Sequence, residues 1–173
     1  AVGVALRDLR GTQSRSIRAI FNGTRNFVLT EMHSRACSLE DALSIAIERG
    51  IAEPDPSQDL DGIDTAAKMV ILVNAALGLN IRMDQAAITG IRGVDGRDGV
   101  WKLIGVYENG AISVRPERIS DGDIFARINE THKMVEFDSV ERGKLAIAGG
   151  ASGRMQMGAA MTKEILNLYG PAL

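Results

Sequence analysis

The sequence predicts an α+β domain: a mixed, largely antiparallel sheet with helices packed on one face. Three observations lead there. Helical periodicity is concentrated before residue 78, short β-type runs separated by turn residues follow from Ile88, and one more helical stretch lies near the end. At 173 residues the chain is long enough to bury a proper core as one domain.

The first strand is expected over Ser16 to Phe21, where Ile17, Ile20 and Phe21 favour extended backbone and Asn22-Gly23 marks a change of element. Phe27, Val28, Leu29 and Met32 then recur at helical spacing, predicting a helix over about 25–35. Ser38 with Asp41 three residues on reads as a capping box. Leu39, Ala42, Leu43, Ala46 and Ile47 supply the apolar stripe of the helix it starts, and Gly50 closes it. Between Glu53 and Asp61, Pro54, Pro56 and four acids leave no periodic pattern, so a stiff loop is expected. A long apolar helix runs from Gly62 to Leu77 and stops at Gly78. Strands are expected at Ile88 to Ile91, Trp101 to Glu108, Ala111 to Arg118, Met134 to Val140 and Lys144 to Ala148, with Glu108-Asn109-Gly110 as a hairpin signal. A last helix, about Gln156 to Leu168, follows the glycine-rich turn Gly149 to Gly153 and is expected to help cover the sheet.

Composition narrows the functional classes. A net charge of −2 and a pI near 5.7 offer no concentrated basic surface for nucleic acid or an anionic membrane. No apolar run approaches the roughly 18 residues that span a bilayer, and no signal peptide opens the chain, so a cytoplasmic location is expected. Cys37 is single and is expected to be inert. His33 and His132 are expected at the surface and no metal site is expected, because none of these side chains stands at ligand spacing. Met155, Met157, Met161 and Trp101 read as core filling. The chain starts at Ala1 in the middle of an apolar run, which reads as a fragment or a processed chain.

Chemistry concentrates in Glu53 to Lys68. Asp64 and Lys68 are four apart and share one helix face, next to a loop carrying Glu53, Asp55, Asp59 and Asp61. One reading is a solvated acidic loop with an exposed ion pair, a common and weak arrangement. The other is a partly buried lysine on an otherwise apolar helix, with acids beside it that suit the ammonium of a zwitterionic ligand.

A resemblance adds to this. Asn22-Gly23-Thr24-Arg25-Asn26-Phe27-Val28-Leu29, then Gly50-Ile51-Ala52-Glu53-Pro54-Asp55-Pro56, then Asp59-Leu60-Asp61-Gly62-Ile63-Asp64 with Ala66-Ala67-Lys68, closely resemble the consecutive motifs of homoserine dehydrogenase, in an archaeal-like form. Val2-Gly3 is similar to the point where that family's catalytic domain begins, and Gly150-Ala151-Ser152-Gly153 to its closing turn. The resemblance implies reversible reduction of aspartate 4-semialdehyde to homoserine with NAD or NADP. It implies Asp64 and Lys68 as the catalytic pair at the reacting oxygen, and Glu53 and Asp59 as holders of the substrate's amino group. Gly23 and Thr24 would contact the substrate's other end, and Gly150, Ala151 and Gly153 would approach the cofactor. It also implies a homodimer through the sheet and a small amino-acid substrate.

The chain departs from the family pattern at four places. Ile51 stands where a tyrosine is usual, Ser152 replaces a glycine, Met155-Gln156 replaces Glu-Thr, and Arg7 replaces a proline. No Gly-x-Gly-x-x-Gly fingerprint is present, so the nucleotide-binding domain is absent from these residues and no dinucleotide is expected to bind this chain alone. The glycines at 149–153 read as a tight turn rather than a phosphate cradle. The rival reading is a cofactor-free amino-acid-binding or dimerisation module derived from the same family.

Overall fold

In the computed structural model, which describes residues 1–53, 60–149 and 154–170, six strands form one sheet with five helices around it. The chain runs α1 (Val2–Asp8), β1 (Ser14–Ile20), α2 (Gly23–Arg35), α3 (Leu39–Glu48), α4 (Ile63–Leu77), β2 (Ala87–Ile88), β3 (Trp101–Glu108), β4 (Ala111–Arg118), β5 (Lys133–Ser139), β6 (Gly143–Gly149) and α5 (Arg154–Tyr169). The sheet order is β2-β4-β3-β1-β5-β6. Every pairing is antiparallel except β2 with β4, so the sheet is mixed and largely antiparallel as expected.

Local chemistry accounts for the element boundaries. The hairpin β3–β4 turns on Asn109 and Gly110, both at positive φ, with Glu108 facing Ala111. Ser38 and Asp41 form the reciprocal capping box of α3, Ser38 Oγ accepting from the Asp41 N–H at 3.1 Å. Gly62 and Gly78 bracket α4 in the left-handed region, at φ 86° and 67°. The strand expected at Ile88 to Ile91 is only the two residues of β2, because the chain leaves the sheet to bury Ile91 against the helices.

Alternation along the strands divides the core. Ile17 and Ala19 of β1, Ile112 of β4, and Val135 and Phe137 of β5 pack with Met69, Leu72 and Val73 of α4. On the opposite side Ile20, Ile104 and Met134 are covered by Ile119, Phe125 and Ile128 from the connection between β4 and β5. That second side also carries charged groups: Arg18 lies 3.0 Å from Asp123 and 3.7 Å from both Glu117 and Glu136, and Lys144 reaches Glu136 at 3.3 Å.

One element has no counterpart in the sequence reading, and the expectations for the final helix need correction. The first seven-residue helix, α1, carries no start signal in the sequence: its N-cap is Ala1, with no side-chain cap. The final helix α5 does form, but it does not fill the core. Met155 is 83% exposed and Met161 62%, and Ile165, Leu166 and Tyr169 are also exposed, so this helix presents apolar side chains outward instead of covering the sheet. The Met157 side chain lies outside what is described. Trp101 is half-buried against the core, with its indole N–H donating to Asp98 at 2.6 Å. His33 and His132 are exposed, as expected, and Cys37 is half-buried.

Candidate active site

Where β1 ends, Asn22 caps α2: its side-chain oxygen accepts from the Arg25 N–H at 3.0 Å. Its amide nitrogen points the other way and donates to Asp64 on α4 at 3.2 Å. A single asparagine therefore fixes the start of α2 against the first turn of α4. Arg25 adds a second tie, donating to Thr65 at 2.9 Å within the core. Thr24 donates to the Ile51 carbonyl at 3.0 Å and so holds the chain leaving α3 against the same helix start.

These three strands of chain wall a cleft of about 630 Å³. Asn22, Gly23 and Thr24 form one side, Gly50 and Ile51 another, and Lys68, Thr131 and Lys133 close it. Gly23 is required by close approach: a Cβ there would stand 2.8 Å from the Thr131 carbonyl oxygen. An apolar cleft of about 260 Å³, walled by Val135, Ile147 and Gly149, shares Phe21 and Lys133 with the first.

Lys68 and Asp64 form the expected pair, with Nζ 2.7 Å from Oδ2. The expectation that Lys68 is partly buried is wrong. Its side chain is 45% exposed, because Met69, Leu72 and Val73 occupy the buried face of α4 and turn Lys68 to the cleft. Partial burial alone would raise the Asp64 carboxyl. Hydrogen bonds from Lys68 and Asn22, with the charges of Lys68 and Arg25, outweigh it and hold Asp64 below the usual carboxylate range. Asp64 therefore stays ionised at neutral pH and keeps Lys68 in place.

Gly23, Thr24 and Lys68 thus meet at one cleft, with Asp64 behind Lys68. Glu53 is exposed, two residues beyond Ile51. Asp59 and the turn residues Gly150, Ala151, Ser152 and Gly153 lie outside the described residues, as do Pro54, Asp55 and Pro56. The sequence reading missed Thr131 and Lys133, which reach the cleft from the start of β5 and carry no local motif. Lys133 is held below the usual lysine range by partial burial and by the charge of Lys68.

The family model described as homoserine dehydrogenase matches residues 2–166. The chain belongs to the homoserine dehydrogenase family. Among curated relatives, the homoserine dehydrogenase of Methanocaldococcus jannaschii is 32% identical over 97% of this chain and 52% of its own length. The NAD(+)-dependent homoserine dehydrogenase of Pseudomonas canavaninivorans is 30% identical over 97% of this chain and 51% of its own. Among solved structures, the Thiobacillus denitrificans homoserine dehydrogenase superposes with a TM-score of 0.91 at 26% identity, covering 98% of this chain and 42% of that one. A hyperthermophilic archaeal homoserine dehydrogenase mutant in complex with NADPH gives 0.83 at 30% identity, covering 99% and 53%. The chain therefore spans about half the length of the curated homoserine dehydrogenases it matches.

Proposed function

We propose that these residues form the substrate-binding and catalytic part of a homoserine dehydrogenase, which interconverts homoserine and aspartate 4-semialdehyde. The nucleotide-binding domain would be supplied outside residues 1–173. The observation that carries this reading is the cleft in which Lys68, anchored by Asp64, faces Gly23 and Thr24 at the start of α2.

In the reducing direction a hydride adds to the aldehyde carbon, and the carbonyl π pair moves onto oxygen. Lys68 donates a proton to that oxygen, a role worth about 10²–10⁴ in rate for a positioned proton donor. Asp64 keeps the ammonium aimed and charged. Glu53 and Asp59 hold the substrate ammonium, and Gly23 and Thr24 hold its far end. NAD or NADP would supply the hydride when bound, and Val135, Ile147 and Gly149, which wall the apolar cleft, would hold its nicotinamide. Gly150, Ala151 and Gly153, which follow Gly149 in sequence, are the residues proposed to contact the cofactor.

The polar sheet face bearing Arg18, Glu117 and Glu136, together with the edge strand β6, supports a homodimer formed through the sheet. No described helix is long and apolar enough to cross a membrane, which fits a cytoplasmic biosynthetic enzyme. The test is homoserine-dependent reduction of NAD(+) or NADP(+) by the full-length enzyme. Turnover supports the proposal. Homoserine binding without any turnover would favour an amino-acid-binding module instead.

A further inference from the structure

The short turn that precedes β5 brings Glu130 and Thr131 into the cleft. Glu130 sits at φ 53°, in the left-handed region that residues other than glycine seldom adopt and that persists only where the surroundings hold it. Both flanks of this residue are held. Before it, the Ile128 carbonyl accepts from Lys102 Nζ at 2.5 Å and from Asn26 Nδ2 at 2.9 Å, and Asn129 Oδ1 accepts from Lys102 Nζ at 3.2 Å. After it, the His132 carbonyl accepts from the same Asn26 Nδ2 at 3.2 Å. Lys102 and Asn26 are themselves joined, Nζ donating to Oδ1 at 3.0 Å, and they are only 1% and 2% exposed. One buried pair, from β3 and α2, therefore grips the turn on either side of its left-handed residue.

Asn26 lies three residues after Gly23 on α2, so the pair fixes the turn against the same helix start that forms the opposite wall of the cleft. The two walls meet without slack, since a Cβ on Gly23 would stand 2.8 Å from the Thr131 carbonyl oxygen. Resting on the function proposed above, we infer that Lys102 is a positioning residue of the site: with Asn26 it sets the spacing between Thr131 and the Gly23–Thr24 wall, and so the affinity for the end of the substrate held there. An ammonium suits the place because its three donors diverge to three acceptors, one on α2 and two on the turn. A methionine of similar length fills the volume but makes none of these bonds. The Ile128 carbonyl keeps its bond from Asn26 in that case, so the turn loosens without the fold being lost.

Steady-state kinetics, calorimetry and melting curves on the full-length enzyme test this with Lys102→Met, Asn26→Ala and the double variant. Lys68 and Asp64 stand on α4, outside the pair, so Lys102→Met should raise KM and the calorimetric Kd for L-homoserine about tenfold while kcat falls less than about threefold. If the two residues act as one clamp, the double variant should bind L-homoserine no worse than about the weaker single variant. Ile112→Val, which shortens a core side chain packed against α4, is the control for stability alone and should lower the melting temperature with KM unchanged. Asn129→Ala removes one acceptor from an exposed residue and keeps the test open should Lys102→Met fail to fold; it should raise KM about threefold. Unchanged KM and Kd in the folded variants, penalties that multiply in the double variant, or a KM rise of equal size in Ile112→Val would each overturn the inference. Wild-type enzyme that neither binds nor oxidises L-homoserine would instead overturn the proposed function, so the two failures are distinct.

Discussion

Lys102 shows how a single charged side chain can be committed to architecture. It is 1% exposed, and its Nζ lies 3.0 Å from Asn26 Oδ1, 2.5 Å from the Ile128 carbonyl and 3.2 Å from Asn129 Oδ1. It thus ties α2 to the connection that carries Thr131 into the cleft. Burial pushes its amine down to about 8 from 10.5. Because the folded state gives up this proton first, the unfolded state binds more protons between those pH values, and stability rises with pH across that window. Unfolding free energy measured in urea should therefore climb from pH 8 toward 10.5 in the wild type, and that increment should be missing in Lys102→Met. An identical pH slope in the two proteins would contradict the assignment. Neither Lys102 nor Lys133 was legible in the sequence: each is a lone lysine near a strand start with no local motif, and the partners of Lys102 lie far along the chain. Asp64 and Lys68 were legible because i,i+4 spacing is local, yet the exposure of Lys68 was not, since it depends on which face of α4 the sheet takes.

Among the elements, α4 decides where the proposed catalytic pair, Asp64 and Lys68, stands, and Gly62 decides where α4 begins. At φ 86° an added Cβ would be strained in itself and would meet Ile88 Cγ2 at 3.0 Å and Val114 Cγ1 at 3.3 Å. Gly62→Ala should cost about 1–3 kcal/mol, the usual range for overpacking, and should lower the urea midpoint without changing the slope. A midpoint equal to that of the wild type would show that α4 is not held by this turn. Elements whose signals are local were read correctly: the β3–β4 hairpin from Asn109-Gly110, α3 from its capping box, and α4 from its flanking glycines. The failures have a common cause in missing local signal or in tertiary context. The short helix α1 has no capping side chain, β2 is truncated by the demand to bury Ile91, and the apolar residues of α5 were assigned to a core that the rest of this chain does not offer them.

For the molecule as a whole, the open sheet leaves β6 as an edge and one polar face only partly covered. If two copies pair through that face, sedimentation at micromolar concentration should give twice the 18.5 kDa chain mass. A mass of one chain at high micromolar concentration would exclude the dimer. The proposed reading gives Lys68 the proton-handling role, and Lys68→Ala in the full-length enzyme tests this most directly. Because Lys68 is exposed, its loss should leave the fold intact, with a melting temperature within a few degrees of wild type. Turnover of homoserine should fall on the order of a hundredfold or more while cofactor affinity is kept, since the interaction lost is made mainly in the transition state. Near-normal turnover in folded Lys68→Ala, or a loss of melting temperature that accounts for all missing activity, would contradict a catalytic Lys68 and leave the Asp64 pair as a surface ion pair.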